Sequence, residues 1–394
     1  VTTLLQKLRG DRVIWMTALF LGLISLLAVY SSISSLAFKR EGGGTLHFLF
    51  KHGLMLASGG LIMYYASKLR HGVYSRLSQL LIGVTAVLLL LTLLLGSNIN
   101  DASRWITIPI IGQSFQTSDL AKVVLIVYLA RVLAKRHGEE WTLRDVLLKL
   151  MLPVGAICGL ILPANFSTAA VLFTVCLVIM FIAQVPMKHM ALIVGAAVLA
   201  FVLLLLVAKS SPGLLPRLDT WVARIEAFGT PGGEADYQVE HAKIAIASGG
   251  MLPNGPGSGA SRNWLPHPYS DMIYAFIVEE YGSIFGGLGL LLLYLILLFR
   301  AVRIAGRCVK PFGALTAVGL GLLLVVQAMI NMAVAVNLVP VTGQPLPLVS
   351  MGGTSIWFTC LAIGIMLSVS RSVEEEHGHE PETIHVRRPR TALA

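Results

Sequence analysis

Apolar residues fall in long blocks along this chain, separated by short polar stretches. A membrane-spanning helix needs about 20 consecutive, mostly apolar residues. Ten blocks of roughly that length lie near 13–32, 46–66, 76–96, 118–134, 146–162, 167–185, 190–208, 272–299, 313–338 and 350–370. They predict an all-α, polytopic integral membrane protein with about ten transmembrane helices. The fifth and sixth blocks are parted only by Pro163-Ala164-Asn165-Phe166, which predicts a tight hairpin. The second contains Lys51 and His52 and is not expected to face lipid on all sides. Gln327 and Asn331, four apart in the ninth, are expected to point inward for the same reason.

Two polar intervals stand out, Gly96 to Thr117 and the longer Lys209 to Ser270. The second predicts a large extracytoplasmic loop between helices 7 and 8. Asp219 is placed to cap a short amphipathic helix there, with Trp221, Val222, Ile225 and Phe228 on one side and Arg217 and Arg224 on the other. A Gly/Pro-rich stretch from Gly249 to Gly259 follows. Interleaved Trp221, Tyr237, Trp264 and Tyr269 argue against disorder. The run from Val339 to Ser355 has three prolines and two clusters of Gly, Ser and Thr, which predicts a broken segment buried in protein or lining a cavity. Residues 1–372 then form the transmembrane unit and 373–394 a charged, flexible cytoplasmic tail. No internal repeat is evident, which removes the inverted-repeat signature of many transporters.

Composition agrees with this pattern. Hydrophobic residues make up 56% of the 394 and charged residues 13%, whereas soluble domains carry roughly a quarter charged. The net charge of +10 is spread between apolar blocks rather than gathered on one face, so it does not indicate nucleic acid. It follows a membrane topology instead. With the N-terminus in the cytoplasm, twenty Lys and Arg fall on the inner side and eight on the outer, which predicts both termini inside. Lys7, Arg9 and Arg12 precede an apolar stretch longer than a signal-peptide core, so the first span is expected to be retained. Cys158, Cys176, Cys308 and Cys360 lack the spacing of a disulfide framework or zinc site.

Ionisable groups in or beside spans are the candidates for chemistry. Asp271 stands where the long loop meets the eighth span, where it suits either a helix N-cap or a functional carboxylate. Glu279 and Glu280, two turns on, are expected to be structural or ion-paired. Asp119 and Lys122 have i, i+3 spacing and can pair on one face, either as a structural pair or with Lys122 on an anionic ligand. Arg104-Trp105 adds an outer cation upstream. Gly255-Pro256-Gly257-Ser258-Gly259 lacks a P-loop ending, although its backbone N–H groups are candidates for phosphate.

These motifs together resemble the SEDS family (FtsW/RodA/SpoVE), over nearly the whole chain. The most specific pieces are Arg104-Trp105 with Phe115 to Lys122, Gly249 to Gly259, Leu265-Pro266 to Asp271 with Glu279-Glu280-Tyr281-Gly282, and Pro340 to Ser355. The resemblance implies ten spans and a peptidoglycan glycosyltransferase that polymerises lipid II at the outer face of the bacterial cytoplasmic membrane. It also implies a class B penicillin-binding protein as transpeptidase partner, with other divisome proteins for the favoured FtsW branch. The family's essential Asp falls on Asp271 and its Glu/Lys pair on Asp119 and Lys122. Departures occur at Pro266-His267-Pro268-Tyr269, at Asp119, and at Asn165, where the family has a carboxylate.

The chemistry expected from that resemblance needs one base. A polyprenyl pyrophosphate leaves already anionic, so a single carboxylate acting on the acceptor hydroxyl suffices. Cations then stabilise the departing charge. Asp271 is the expected base. Arg104, Asp119, Lys122, Arg224 and Ser350 form the expected pyrophosphate and substrate group. With no carboxylate pair flanking a site, a single inverting displacement is expected. A divalent cation, Mg2+ or Mn2+, is compatible with this chemistry, although no ligand set for it is visible. The alternatives are a flippase or transporter of lipid-linked precursors, an elongation-type RodA polymerase, and a non-catalytic scaffold.

Overall fold

A computed structural model describes residues 9–39, 45–95, 97–99, 102–108, 113–210, 222, 228, 234–264 and 269–377. Helices occupy all ten expected positions. They are α1 (Arg12–Lys39), α2 (Thr45–Lys68), α3 (His71–Leu95), α4 (Thr117–Lys135), α5, α6 (Phe166–Ile182), α7 (Met187–Ser210), α9, α10 (Pro311–Ala335) and α11 (Ser355–His377). Helix α5 runs through Leu143–Asp145, a π-helical Val146–Met151 and Leu152–Ile161. Helix α9 runs through Ile273–Tyr281, a π-helical Gly282–Leu288 and Gly289–Arg307. An unpredicted helix, α8 (Glu234–Ser248), lies in the long loop.

Six of these helices are long and apolar enough to cross a membrane by length and composition alone. Helix α6 is apolar but shorter. The other three show why composition misses them. α2 has His52 buried against Ser25, at 2.8 Å. α4 carries Asp119 and Lys122 but is buried along most of its length, so it meets protein instead of lipid. α5 is interrupted by its π-turn. Between α3 and α4 the fold departs from all-α. Here β1 (Ser97–Ile99), β2 (Ala102–Ile108) and β3 (Gln113–Gln116) form an antiparallel sheet in that order, and β3 runs straight into α4.

Helices α4, α10 and α11 form the centre, while α3 and α7 stay on the outside with much apolar surface uncovered. With no hydrophobic effect between helices in lipid, close approach rests on small residues. α2 and α11 meet in this way. A Cβ on Gly364 would lie 2.8 Å from the Met63 carbonyl, and one on Gly59 2.8 Å from Cys360 Sγ. The α5–α6 hairpin forms as predicted. Asn165 N donates to Ile161 O at 2.8 Å, and the Asn165 side chain caps α6 by accepting from Thr168 N.

Both ends of the bundle are tied by polar contacts. At one end Arg300 of α9 reaches Asp11 before α1, through Nε at 2.6 Å, and Arg371 of α11 donates to Lys68 O at 2.6 Å. At the opposite end lie the starts of α4 and α9, the sheet, α8 and the broken run before α11. The final helix continues through a buried Val373 to His377, past the expected start of the tail.

Candidate active site

Asp271 is half-buried in a turn just before α9. The N-cap reading of this residue does not hold. Helix α9 starts at Ile273, its N-cap position is Met272, and no side chain caps it. The Asp271 carboxylate instead accepts from Ser270 Oγ at 2.8 Å. Its other oxygen lies beside Gly343, where a Cβ would stand 3.5 Å away. Gly343 has φ +64°, a conformation that favours glycine.

The backbone around Asp271 is held from several directions. Asn331 of α10 donates through Nδ2 to Asp271 O at 2.8 Å and to Gln344 O at 2.7 Å. Ser350 Oγ donates to Ser270 O at 2.7 Å and accepts from Leu346 N at 2.8 Å. Met351 N donates to Tyr269 O at 2.9 Å. The turn is thus stitched to the non-helical run that precedes α11. That run is largely buried, as expected, and its own carbonyls are satisfied by side chains. Tyr294 donates to Pro347 O at 2.5 Å and Ser25 to Val349 O at 2.8 Å. Gln344 donates in turn to Thr168 Oγ1 at 2.6 Å. Helix α8 covers this region, with Val239, Ala242 and Ala245 packed with Met272, Ala275, Val334 and Val341.

One turn along α10 from Asn331 is Gln327. It donates to Pro345 O and accepts from Lys122 Nζ, both at 2.9 Å. Lys122 Nζ also pairs with Asp119 Oδ1 at 2.7 Å. Asp119 and Lys122 are only 3% and 6% exposed, so the pair predicted from their spacing is deeply buried. Adjacent turns of one helix therefore link the ion pair to the Asp271 backbone. At the head of α4, Gln116 N donates to Thr354 Oγ1 at 3.2 Å and Phe115 packs edge-on against Phe358.

The other expected site residues fare differently. Arg104 lies on β2, next to Trp105, which is paired in register with Gln116 at the head of α4. Arg224, Asp219 and the 265–268 departure lie outside the described residues. The glycine stretch is not a phosphate cradle. Gly257 N and Gly259 N donate to Glu280 Oε1, while Ala260 N and Ser261 N donate to Glu279. Among the described residues, the hydrogen-bond partners of both Glu are backbone N–H groups and the Ser31 and Ser261 hydroxyls, and neither Glu forms an ion pair, which fits the structural role expected of them. Gly282 at φ +74° and Gly249 complete the clamp, since a Cβ on either would strike backbone across the contact. Gln344 and Thr168 were not singled out from sequence. Their only signal is polarity within apolar surroundings.

The sequence matches the family profile described as "Cell cycle protein" (FtsW/RodA/SpoVE) across residues 11–375. The chain belongs to the FtsW/RodA/SpoVE family. It is a multi-pass membrane protein with that family's fold. It is 31% identical over 369 residues to the probable peptidoglycan glycosyltransferase FtsW of Coxiella burnetii, covering 91% of this chain and 96% of that one. It is 30% identical to stage V sporulation protein E of Bacillus subtilis, covering 93% and 98%. Its fold is similar to that of a chain from a peptidoglycan synthase complex that coordinates polymerization and crosslinking, with TM-score 0.73, 25% identity and coverage of 92% and 98%. The rod shape determining protein RodA of Thermus thermophilus has the same fold, with TM-score 0.67, 24% identity and coverage of 93% and 98%.

Proposed function

We propose that this chain is a peptidoglycan glycosyltransferase that polymerises lipid II at the outer face of the bacterial cytoplasmic membrane. Both termini then lie in the cytoplasm, and the Asp271 end of the bundle faces outward. The observation that carries this reading is a half-buried carboxylate on a fixed backbone, coupled through α10 to a buried Lys–Asp pair. Asp271 acts as general base on the acceptor hydroxyl, which then attacks the donor sugar and expels the polyprenyl pyrophosphate. Asn331, Ser350 and Ser270 hold that base in place, and fixed geometry is itself a large part of catalysis. Lys122 is held by Asp119 and Gln327, and from that buried position it acts on the pyrophosphate through its charge. Arg104 and Arg224 supply further positive charge to the leaving group.

With one catalytic carboxylate the displacement inverts the anomeric centre. Among the described residues no three His, Cys, Asp or Glu side chains gather in metal-binding reach. A bridging Mg2+ or Mn2+ would therefore draw its ligands mainly from the pyrophosphate. The FtsW-named relatives favour a role in septal synthesis, beside other divisome proteins, and the similar chain from a peptidoglycan synthase complex that coordinates polymerization and crosslinking supports a class B penicillin-binding protein as partner. The test is purified protein with labelled lipid II in detergent. Glycan strands formed without a bilayer support the enzyme, and an absence of strands with the transpeptidase also present refutes it.

A further inference from the structure

At the end of the bundle opposite Asp271, four helix ends meet around an open cavity of about 810 Å³. They are the end of α2, the starts of α3 and α10, and the end of α11. Arg70, Arg76 and Lys310 line it together with Glu375 and Glu376. The two acids are already committed. Glu376 pairs with Lys310 at 3.2 Å and Glu375 with Arg371 at 3.4 Å. Arg70 and Arg76 have no ion pair among the described residues. Among the described residues, the cavity thus presents two guanidinium groups that no carboxylate pairs with, suited to bidentate recognition of phosphate.

Its position decides between a soluble anion and an amphiphile. Val73 lines the cavity and is exposed. Along α3 from it, Leu77, Leu80, Val84 and Val87 are all exposed as well. These positions are spaced by three and four and form one helix face. An uncovered apolar stripe thus leads from the cationic cavity into the span, which is the geometry of a headgroup site with a track for its tails.

We propose that this cavity binds the phosphate headgroup of an anionic phospholipid, whose acyl chains run along the exposed face of α3. Basic pockets between helix ends hold anionic lipids by this combination of charge and apolar surface. The site is separate from Asp271 and does not depend on the proposed reaction.

The test is native mass spectrometry of the full-length protein released from mixed phosphatidylglycerol and phosphatidylcholine nanodiscs. Wild type is expected to retain phosphatidylglycerol in preference to phosphatidylcholine. R70Q/R76Q is expected to bind it roughly thirtyfold more weakly, from two basic contacts at the usual weight per charge. R70K/R76K keeps the charges and is expected to retain most of the preference. Both pairs of substitutions are on exposed side chains, and a melting curve in phosphatidylcholine checks that each variant is folded. Equal retention of the two lipids by wild type, or an unchanged preference in R70Q/R76Q, would overturn the proposal. So would displacement of the lipid by millimolar inorganic phosphate, which would assign the pocket to a soluble anion.

Discussion

The side-chain amide of Asn331 holds the carbonyl of Asp271 at 2.8 Å and, through the same nitrogen, that of Gln344 at 2.7 Å. One buried residue thus fixes both the turn that carries the carboxylate and the broken segment packed against it. Substitution Asn331→Leu keeps the size but leaves both carbonyls without that donor, at about 1–3 kcal/mol for each group left unsatisfied. Misplacing a catalytic group by about an ångström costs on the order of 10²-fold in rate. The variant should therefore lose about that much polymerisation while still binding lipid II. Parallel turnover and lipid II binding measurements check this, and a loss of binding alone would assign Asn331 to substrate recognition.

The Asp119–Lys122 pair is buried, so removing one partner strands the other charge in a dry interior. Lys122→Met or Asp119→Asn should each destabilise the protein by about 3–5 kcal/mol. The double variant Asp119→Leu/Lys122→Met should recover much of that stability and remain inactive. Thermal unfolding and turnover on the three proteins check this. Normal polymerisation by the double variant would reduce the pair to a structural role.

Glu279 and Glu280 clamp the glycine stretch through backbone N–H groups. Glu280→Gln weakens hydrogen bonds that are charge-assisted, worth about 1.5–3 kcal/mol. Amide hydrogen exchange should then accelerate at Gly257 and Gly259 while the centre of α10 stays protected. Unchanged exchange at those glycines would remove Glu280 from the clamp.

Gly364 permits the close contact of α2 with α11. Gly364→Val places a branched side chain against the Met63 backbone, where overpacking costs typically about 1–3 kcal/mol. A lower melting temperature in detergent is the expected outcome, and an unchanged one would mean that the two helices separate freely.

The helices were legible because lipid imposes a long apolar block on each exposed span, and blocks of that length are visible without knowledge of contacts. Asp119 with Lys122 was legible because i, i+3 spacing is local. The sheet before α4 was not, since its short strands, such as Gln113–Gln116, have no periodicity that stands out beside the spans. Helix α8 was missed because its apolar positions, Val239, Ala242 and Ala245, are small and spread through a polar segment. The phosphate reading of Gly257 and Gly259 failed for a different reason. Their amides are free in sequence, and only the fold places Glu280 against them. The link from Lys122 through Gln327 and Asn331 to Asp271 joins three distant stretches of chain. Inward-facing polarity announced Gln327 and Asn331, but nothing local announced their partners.

The central claim rests on the Asp271 carboxylate, and Asp271→Asn tests it with almost no change in shape. The measurement is the rate of lipid II polymerisation by purified wild-type and Asp271→Asn protein, each with matched melting temperature and matched binding to its transpeptidase. A general base contributes about 10²–10⁴-fold, so the variant should be slower by at least the lower figure. Polymerisation at the wild-type rate by folded Asp271→Asn protein would contradict the account.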